Sequence, residues 1–487
     1  MNAVTESSVV EAVTKQLFIG GKWTPASNGA TFAVHDPATG QVLCEVADAS
    51  PEDGKAALDA AVSAQAEWAA HPPRERGEIL RRAYEALLAR QEELALLMTL
   101  EMGKPLAESR GEVSYAAEFF RWFAEEAVRI DGGYAVAPNG VGRVLVTKQP
   151  VGPSLLITPW NFPMAMGTRK IGPAVAAGCT MVVKPAEQTP LSMLALAQIL
   201  ADAGLPEGVL NVVTTSDAGG VMEPLIRDGR ARKLSFTGST AVGRKLLEQC
   251  ADKVLRTSME LGGNAPFLVF DDADLDAAVE GAMQAKMRNI GEACTAANRF
   301  YVQRGIADEF ARRLTERMSA LPIGRGTEDG VVVGPLIDQA AVEKVDTLVQ
   351  DAARRGAEVL TGGSAIDGPG HFYQPTVLTD VPTDALLARE EIFGPVAPIS
   401  VFDTEEEAVA AANDTEYGLV GYVYTSDVKR ALRVSERLET GMVGLNQGIV
   451  SNPAAPFGGV KQSGLGREGG TVGIDEFLET KYIAVSL

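Results

Sequence analysis

The sequence predicts an α/β fold, with two alternating α/β domains built on parallel sheets plus a small β arm. Three observations predict it. Short β-rich runs alternate with helical stretches from Ser154 to Leu261; a second alternating region runs from Ala265 to about Phe457; and GGYAVAPNGVGRVLVTKQP at 132–150 reads as a two-stranded hairpin turning at Pro138-Asn139-Gly140. In the first region SLLITP, MVVKP, VLNVVT, KLSFTG and VLRTSMEL are strands, and PLSMLALAQILADAG and STAVGRKLLEQCA are helices. That pattern is a dinucleotide-binding architecture. In the second, PFLVF, RFYVQ, FYQPTVLTDV and APISVF are the strand candidates, and PFGGVKQSGLGREGG is a loop leading to the final strand. Upstream, Pro51 to Ile130 is helical: AALDAAVSAQAEWAA, then one long helix EILRRAYEALLARQEELALLMTLEMG closed by Gly103, then GEVSYAAEFFRWFAEEAVRI. Residues 1–16 are polar and are expected to fray.

A chain of 487 residues is long enough for two or three domains with a substantial core. Its net charge of −20 repels nucleic-acid phosphates and anionic lipid, so neither is an expected partner. An anionic substrate would need local positive charge at its site. Cys44, Cys179, Cys250 and Cys294 are widely spaced without a CxxC, which predicts neither a disulfide framework nor a metal site and fits a reducing cytoplasm. The N-terminus lacks the pattern of a secretory signal, and no stretch approaches the roughly 18 apolar residues of a membrane span. His35, His71 and His371 all read as turn residues, which leaves a histidine-based mechanism without a base.

The chemistry concentrates in three segments. Glu260 in MELGGNAP and Cys294 in NIGEACTAANR sit among small residues and glycines, where a side chain and a substrate can meet. Asn161 in TPWNFP carries an amide suited to an oxyanion. Nucleophile, base and oxyanion donor are what acyl transfer requires. A thiol near pKa 8.5 is scarcely ionised at neutral pH, so Cys294 needs a depressed pKa or a base. Cys44, Cys179 and Cys250 lack such surroundings and read as structural thiols. FTGSTAVG, around Gly238, reads as a strand end, a glycine turn and a helix N-terminus, which suits a pyrophosphate. GLGREG at 464–469 matches GxGxxG but opens no βαβ unit, and GSTAVGRK lacks the GK[ST] of a P-loop.

On these residues the chain resembles the NAD(P)-dependent aldehyde dehydrogenase superfamily, from about Phe18 to the C-terminus. The resemblance implies an NAD-binding domain at 1–131 and 151–261, a catalytic domain at 262–457, and an oligomerisation arm at 132–150 and 475–487 that makes a homodimer or homotetramer. It places Gly238, Ser239 and Gly243 at the cofactor phosphates, Lys184 and Glu187 at the adenosine ribose, Glu391 and Phe393 at the nicotinamide side, and Trp160 and Leu261 beside them. Glu187 would accept bonds from ribose hydroxyls and repel a 2′-phosphate, which favours NAD over NADP. Cys294 would attack the aldehyde, Asn161 and the Cys294 N–H would hold the oxyanion, and Glu260 would activate water against the thioester. Glu468 in GRE is a second proton carrier in some members; as a bare loop residue it reads as a solvated charge.

Arg169, Arg288 and Ser451 are similar in position to the residues that bind the distal carboxylate in succinate-semialdehyde dehydrogenases, so the substrate expected is a small anionic aldehyde. Each arginine alone could equally pair with a structural carboxylate. Some of those enzymes carry a second cysteine two residues after the nucleophile; Ala296 here removes that redox switch. GEACTAAN differs from their commoner GQTC form, and one methylene discriminates by only about 1–3 kcal/mol, so glutarate semialdehyde is a competing substrate. Outside the class, a cysteine hydrolase or acyltransferase would lack a partner histidine, and a silent binding protein would not explain Cys294, Glu260 and Asn161 together.

Overall fold

The computed structural model describes residues 5–486. Its larger sheet has eight strands in the order Gly464–Leu465, Arg256–Glu260, Lys233–Thr237, Ser154–Ile157, Met181–Lys184, Leu210–Val212, Leu17–Ile19 and Lys22–Thr24. The five central members, from Arg256–Glu260 to Leu210–Val212, run parallel. Their near-complete burial reflects helices on both faces, which is what parallel sheets require. The antiparallel edges at 17–24 and 464–465 are additions to the parallel sheet expected from sequence. Two or three residues carry too little periodicity to announce a strand.

The second sheet has seven strands in the order Glu358–Thr361, Thr376–Thr379, Val396–Phe402, Ala297–Gln303, Ala265–Val269, Val420–Tyr424 and Met442–Leu445. All neighbours are parallel except at the Glu358–Thr361 edge. The arm is a three-stranded antiparallel sheet. Arg143–Pro150 pairs on one side with Gly133–Val136 and on the other with Leu478–Val485, in a register running from Pro150 opposite Leu478 to Arg143 opposite Val485. Tyr134, Val136, Val141 and Tyr482 stand exposed on it. Among the described residues no helix is long and apolar enough to cross a membrane.

Two local expectations are corrected. The described part of the N-terminal segment is not frayed: Glu6–Glu11 is a helix with a Thr5/Ser8 capping box, and Val9, Val10 and Val13 are buried. Arg325 clamps it, reaching Glu6 and Asp36 at 2.8 Å each. Residues 1–4 lie outside the described residues. The expected long helix ending at Gly103 is two helices, Pro73–Ala89 and Gln91–Met102. Arg90 breaks it with φ −109° and ψ 19°, and both halves then pack on Leu106–Glu126. The local pattern is helical throughout, so this break belongs to tertiary packing.

Candidate active site

Parallel strands bring distant residues together at their C-terminal ends. Glu260 ends one strand, Thr237-Gly238 the next, Trp160 and Asn161 follow the third, and Lys184 ends the fourth. Ser239 caps the helix Thr240–Ala251, its hydroxyl accepting from the Val242 N–H. The second sheet contributes from the opposite strand ends. Cys294 precedes Ala297–Gln303, and Glu391 and Phe393 precede the neighbouring Val396–Phe402. A cavity of about 260 Å³ lies between, walled by Trp160, Asn161, Gly238, Ser239, Leu261, Arg288, Cys294, Glu391, Phe393 and Ser451, among others.

The loop before Cys294 holds three consecutive left-handed residues, Asn289 (φ 53°), Ile290 (φ 62°) and Gly291 (φ 80°). Such a conformation at a β-branched residue costs about 1–3 kcal/mol and persists only where its surroundings dictate it. They do so here. The Asn289 N–H donates to Glu108, and its side-chain amide donates to the carbonyls of Asn161 and Glu292. A Cβ on Gly291 would lie 2.2 Å from the Gly394 oxygen, and one on Gly263 would lie 2.4 Å from the Cys294 oxygen. The Asn161 amide donates to the Glu292 carbonyl at 2.9 Å, fixing it two residues from Cys294. Lys104, wholly buried, bonds Glu112 at 2.5 Å and the Asn161 carbonyl at 2.7 Å. Glu112 also accepts from the N–H groups of Met164 and Ala165, at the start of the helix Ala165–Ala177.

Burial dominates the electrostatics. It pushes the Cys294 thiol up to about 12; Arg169 and Arg288 oppose that, while Glu391 and Glu260 add to it. Of the two routes open to Cys294, a depressed pKa is therefore not met, which leaves a base. Glu260 is buried, and one of its carboxylate oxygens has no hydrogen-bond partner among the described residues. Burial, then the neighbouring Glu468, holds it well above the ordinary carboxylate range. Glu391 is raised to about 7, mainly by burial, against a bond from the Gly263 N–H.

Glu468 corrects the reading of it as a solvated charge. It is 7 % exposed and stands 2.5 Å from the Lys170 ammonium and 2.7 Å from Arg169. Burial raises it, but Lys170 and Arg169 more than offset this and hold it below its usual range. That pairing also divides the two expected carboxylate-binding arginines. Arg169 is buried against Glu468, its guanidinium 4.0 Å from the Phe457 ring centre, although it still faces the cavity. Arg288 has no carboxylate partner among the described residues; its Nη1 donates to the Ser451 hydroxyl at 2.9 Å.

Three expected cofactor residues lie off this cavity wall. Gly243 faces Leu261, where a Cβ would sit 2.4 Å from a leucine methyl. Lys184 is buried beside Glu187, and burial lowers its ammonium pKa against the pull of that carboxylate. Glu187 lines a separate cavity of about 370 Å³. Sequence reading missed Lys104, Glu108, Glu112, Tyr115 and Lys170. The first three lie in or near a helix read only for its apolar stripe, where buried charge is the informative departure.

A parallel-strand cleft that brings a cysteine and an amide to a glycine turn at a helix N-terminus, with the buried Glu260 close enough to the cysteine to raise its pKa, fits one class of enzyme, and the family comparison agrees. A family model described as the aldehyde dehydrogenase family matches residues 23–483, and the chain belongs to that family. It is 60% identical over 445 residues to a succinate-semialdehyde dehydrogenase of Paenarthrobacter nicotinovorans, covering 91% of this chain and 99% of that one. It is 52% identical to a glutarate-semialdehyde dehydrogenase of Pseudomonas putida, covering 97% and 98%. A solved structure described as an E. coli NADP-dependent enzyme superposes with a TM-score of 0.97 at 52% identity, covering 100% of both chains.

Proposed function

We propose that the chain oxidises succinate semialdehyde to succinate with NAD. The observation that carries this is Arg288, without a carboxylate partner among the described residues and bonded to Ser451 on the wall of the Cys294 cavity. A guanidinium beside a hydroxyl binds a carboxylate through charge-assisted bonds. Arg169, paired with Glu468, adds positive charge behind it. Cys294 releases its proton to solvent and its sulfur bonds to the aldehyde carbon as the C=O π pair moves onto oxygen, forming a thiohemiacetal oxyanion held by the Asn161 amide and the Cys294 N–H. One Asn161 hydrogen serves Glu292; the second has no acceptor among the described residues. Asn161→Ala should lower kcat by roughly two to three decades, the usual worth of one oxyanion donor, in steady-state NADH absorbance. Loss of hydride leaves a thioester, and Glu260 takes a proton from the water that cleaves it to succinate and free thiol. Glu468 and Lys170 give Glu260 a charged neighbourhood through which that proton can leave.

The residues present fit a pyridine nucleotide. Thr237 Oγ1 is buried on a residue that lines the cavity and has no partner among the described residues, and Gly238 and Ser239 open a capped helix whose N–H groups suit an anion. When bound, the nicotinamide supplies the hydride acceptor. We place Gly238, Ser239 and Gly243 at its phosphates, Lys184 and Glu187 at its adenosine ribose, and Trp160, Leu261, Glu391 and Phe393 around its ring end. Trp160 and Phe393 meet edge to face at 5.4 Å. Glu187 disfavours a 2′-phosphate, so NAD is the preferred cofactor even though the E. coli structural relative is described as NADP-dependent. The exposed apolar arm is the surface on which we place homo-oligomer contact.

A panel of succinate semialdehyde, glutarate semialdehyde and butanal, each with NAD and NADP, tests this reading. We expect the highest kcat/KM for succinate semialdehyde with NAD, with glutarate semialdehyde about 10- to 200-fold lower. Arg288→Ala should erase the preference for both carboxylated aldehydes over butanal. Equal oxidation of butanal by the wild type would remove the substrate assignment, and preference for NADP would remove the role given to Glu187. Glutarate semialdehyde as the better substrate would favour the second reading, to which the Pseudomonas relative points.

A further inference from the structure

Beside the cavity at Cys294 lies a second one of about 480 Å³, and Tyr115, Phe162 and Arg288 belong to the walls of both. Tyr115 comes from the helix Leu106–Glu126, and its ring is fixed edge-on against Phe119 at 5.0 Å. The Arg288 guanidinium lies 5.7 Å from the Tyr115 ring centre. Arg169, paired with Glu468, lines the Cys294 cavity as well. The tyrosine therefore shares one cavity wall with both guanidiniums.

Its hydroxyl is the unusual feature. Tyr115 Oη is shielded from solvent and has no hydrogen-bond partner among the described residues. A buried phenol normally finds one, because an unmade hydrogen bond leaves its desolvation uncompensated. An orphaned donor carried by a residue that lines a ligand cavity together with Arg169 and Arg288 is complementary to an anion that is both negative and a hydrogen-bond acceptor. The ring is anchored, so little rotamer freedom is lost when the anion arrives.

We propose that Tyr115 is a specificity-determining residue, its hydroxyl donating to the distal carboxylate of the aldehyde substrate alongside Arg288 and Ser451. This rests on the carboxylated-aldehyde reading above and adds to it the donor that completes the carboxylate site. The hydroxyl is neutral, so it rewards a carboxylate without adding a charge that would further change the Cys294 thiol.

The test is Tyr115→Phe, which removes one oxygen and keeps the ring contact with Phe119. Its kcat/KM for succinate semialdehyde relative to butanal should fall about tenfold or more against the wild type, carried by KM rather than kcat. In a second measurement succinate, which cannot react, should protect Cys294 of the wild type from iodoacetamide. Protection of the variant should require about tenfold more succinate. An unchanged ratio and unchanged protection would overturn the proposal, as would an equal loss for butanal, which marks a structural role. A wild type that does not discriminate at all sinks the parent reading instead. If the wild type discriminates and Arg288→Ala abolishes that while Tyr115→Phe does not, only the role of Tyr115 fails.

Discussion

Cys294→Ala abolishes aldehyde oxidation, lowering NADH production by about four decades or more, while thermal unfolding and circular dichroism stay those of the parent. The size follows from the chemistry: without the sulfur no covalent intermediate forms, and removal of a nucleophile from a working constellation leaves only what binding and the oxyanion donors provide. Folding persists because Cys294 is only partly enclosed, lying on the cavity wall rather than in an apolar cluster. The three remaining cysteines supply the control. Burial raises Cys44, Cys179 and Cys250 to about 11, and alanine at any of them should leave turnover near normal. In the cofactor-free enzyme, alkylation of Cys294 by iodoacetamide should be slow at neutral pH and accelerate about tenfold per pH unit, because the reactive thiolate is scarce below a pKa of about 12. Rapid labelling at pH 7 with no pH dependence would show that a base already holds the proton before substrate arrives.

Cysteine ionisation alone would not have found the nucleophile, since burial raises all four thiols. What singled out Cys294 in the sequence was the resemblance of its neighbourhood, set among small residues and glycines, to the family's nucleophile motif, and the structure explains that setting: Gly291 and Gly263 stand where any side chain would strike backbone. The parallel strands were legible for the same reason, because fully buried runs such as Lys233–Thr237 end in a glycine turn and a capped helix. Charge partners were not. Lys170 and Glu468 are 298 positions apart, and nothing local to GRE distinguishes a solvated loop glutamate from one buried between two cations. Arg169 was ambiguous for the same reason. The Lys104–Glu112 pair lay hidden in a helical pattern scored for apolar periodicity, although its function is to grip the Asn161 segment. The short edge strands and the N-terminal helix were lost because their stabilising contacts, such as Arg325 to Glu6, are long-range.

Glu260→Gln should separate the two halves of the reaction. The amide cannot accept a proton, so acylation of Cys294 should still yield one NADH per active site, followed by a steady state about 10²–10⁴ slower. Stopped-flow absorbance reads the burst and mass spectrometry reads the acyl group retained on Cys294. The wild-type pH profile carries the second half of the argument. Burial and Glu468 both hold the Glu260 carboxyl above the ordinary range, so its basic form fills only as pH rises past that range. Deacylation should therefore increase with pH through an acid limb that the Gln variant lacks. Glu468→Gln should move that limb to lower pH: it removes a negative neighbour that favours the protonated form, and it releases Arg169 and Lys170, whose charges favour the carboxylate. An acid limb unchanged in Glu260→Gln would assign the base elsewhere, and a limb moving upward in Glu468→Gln would mean that the two carboxylates do not sense each other across the site.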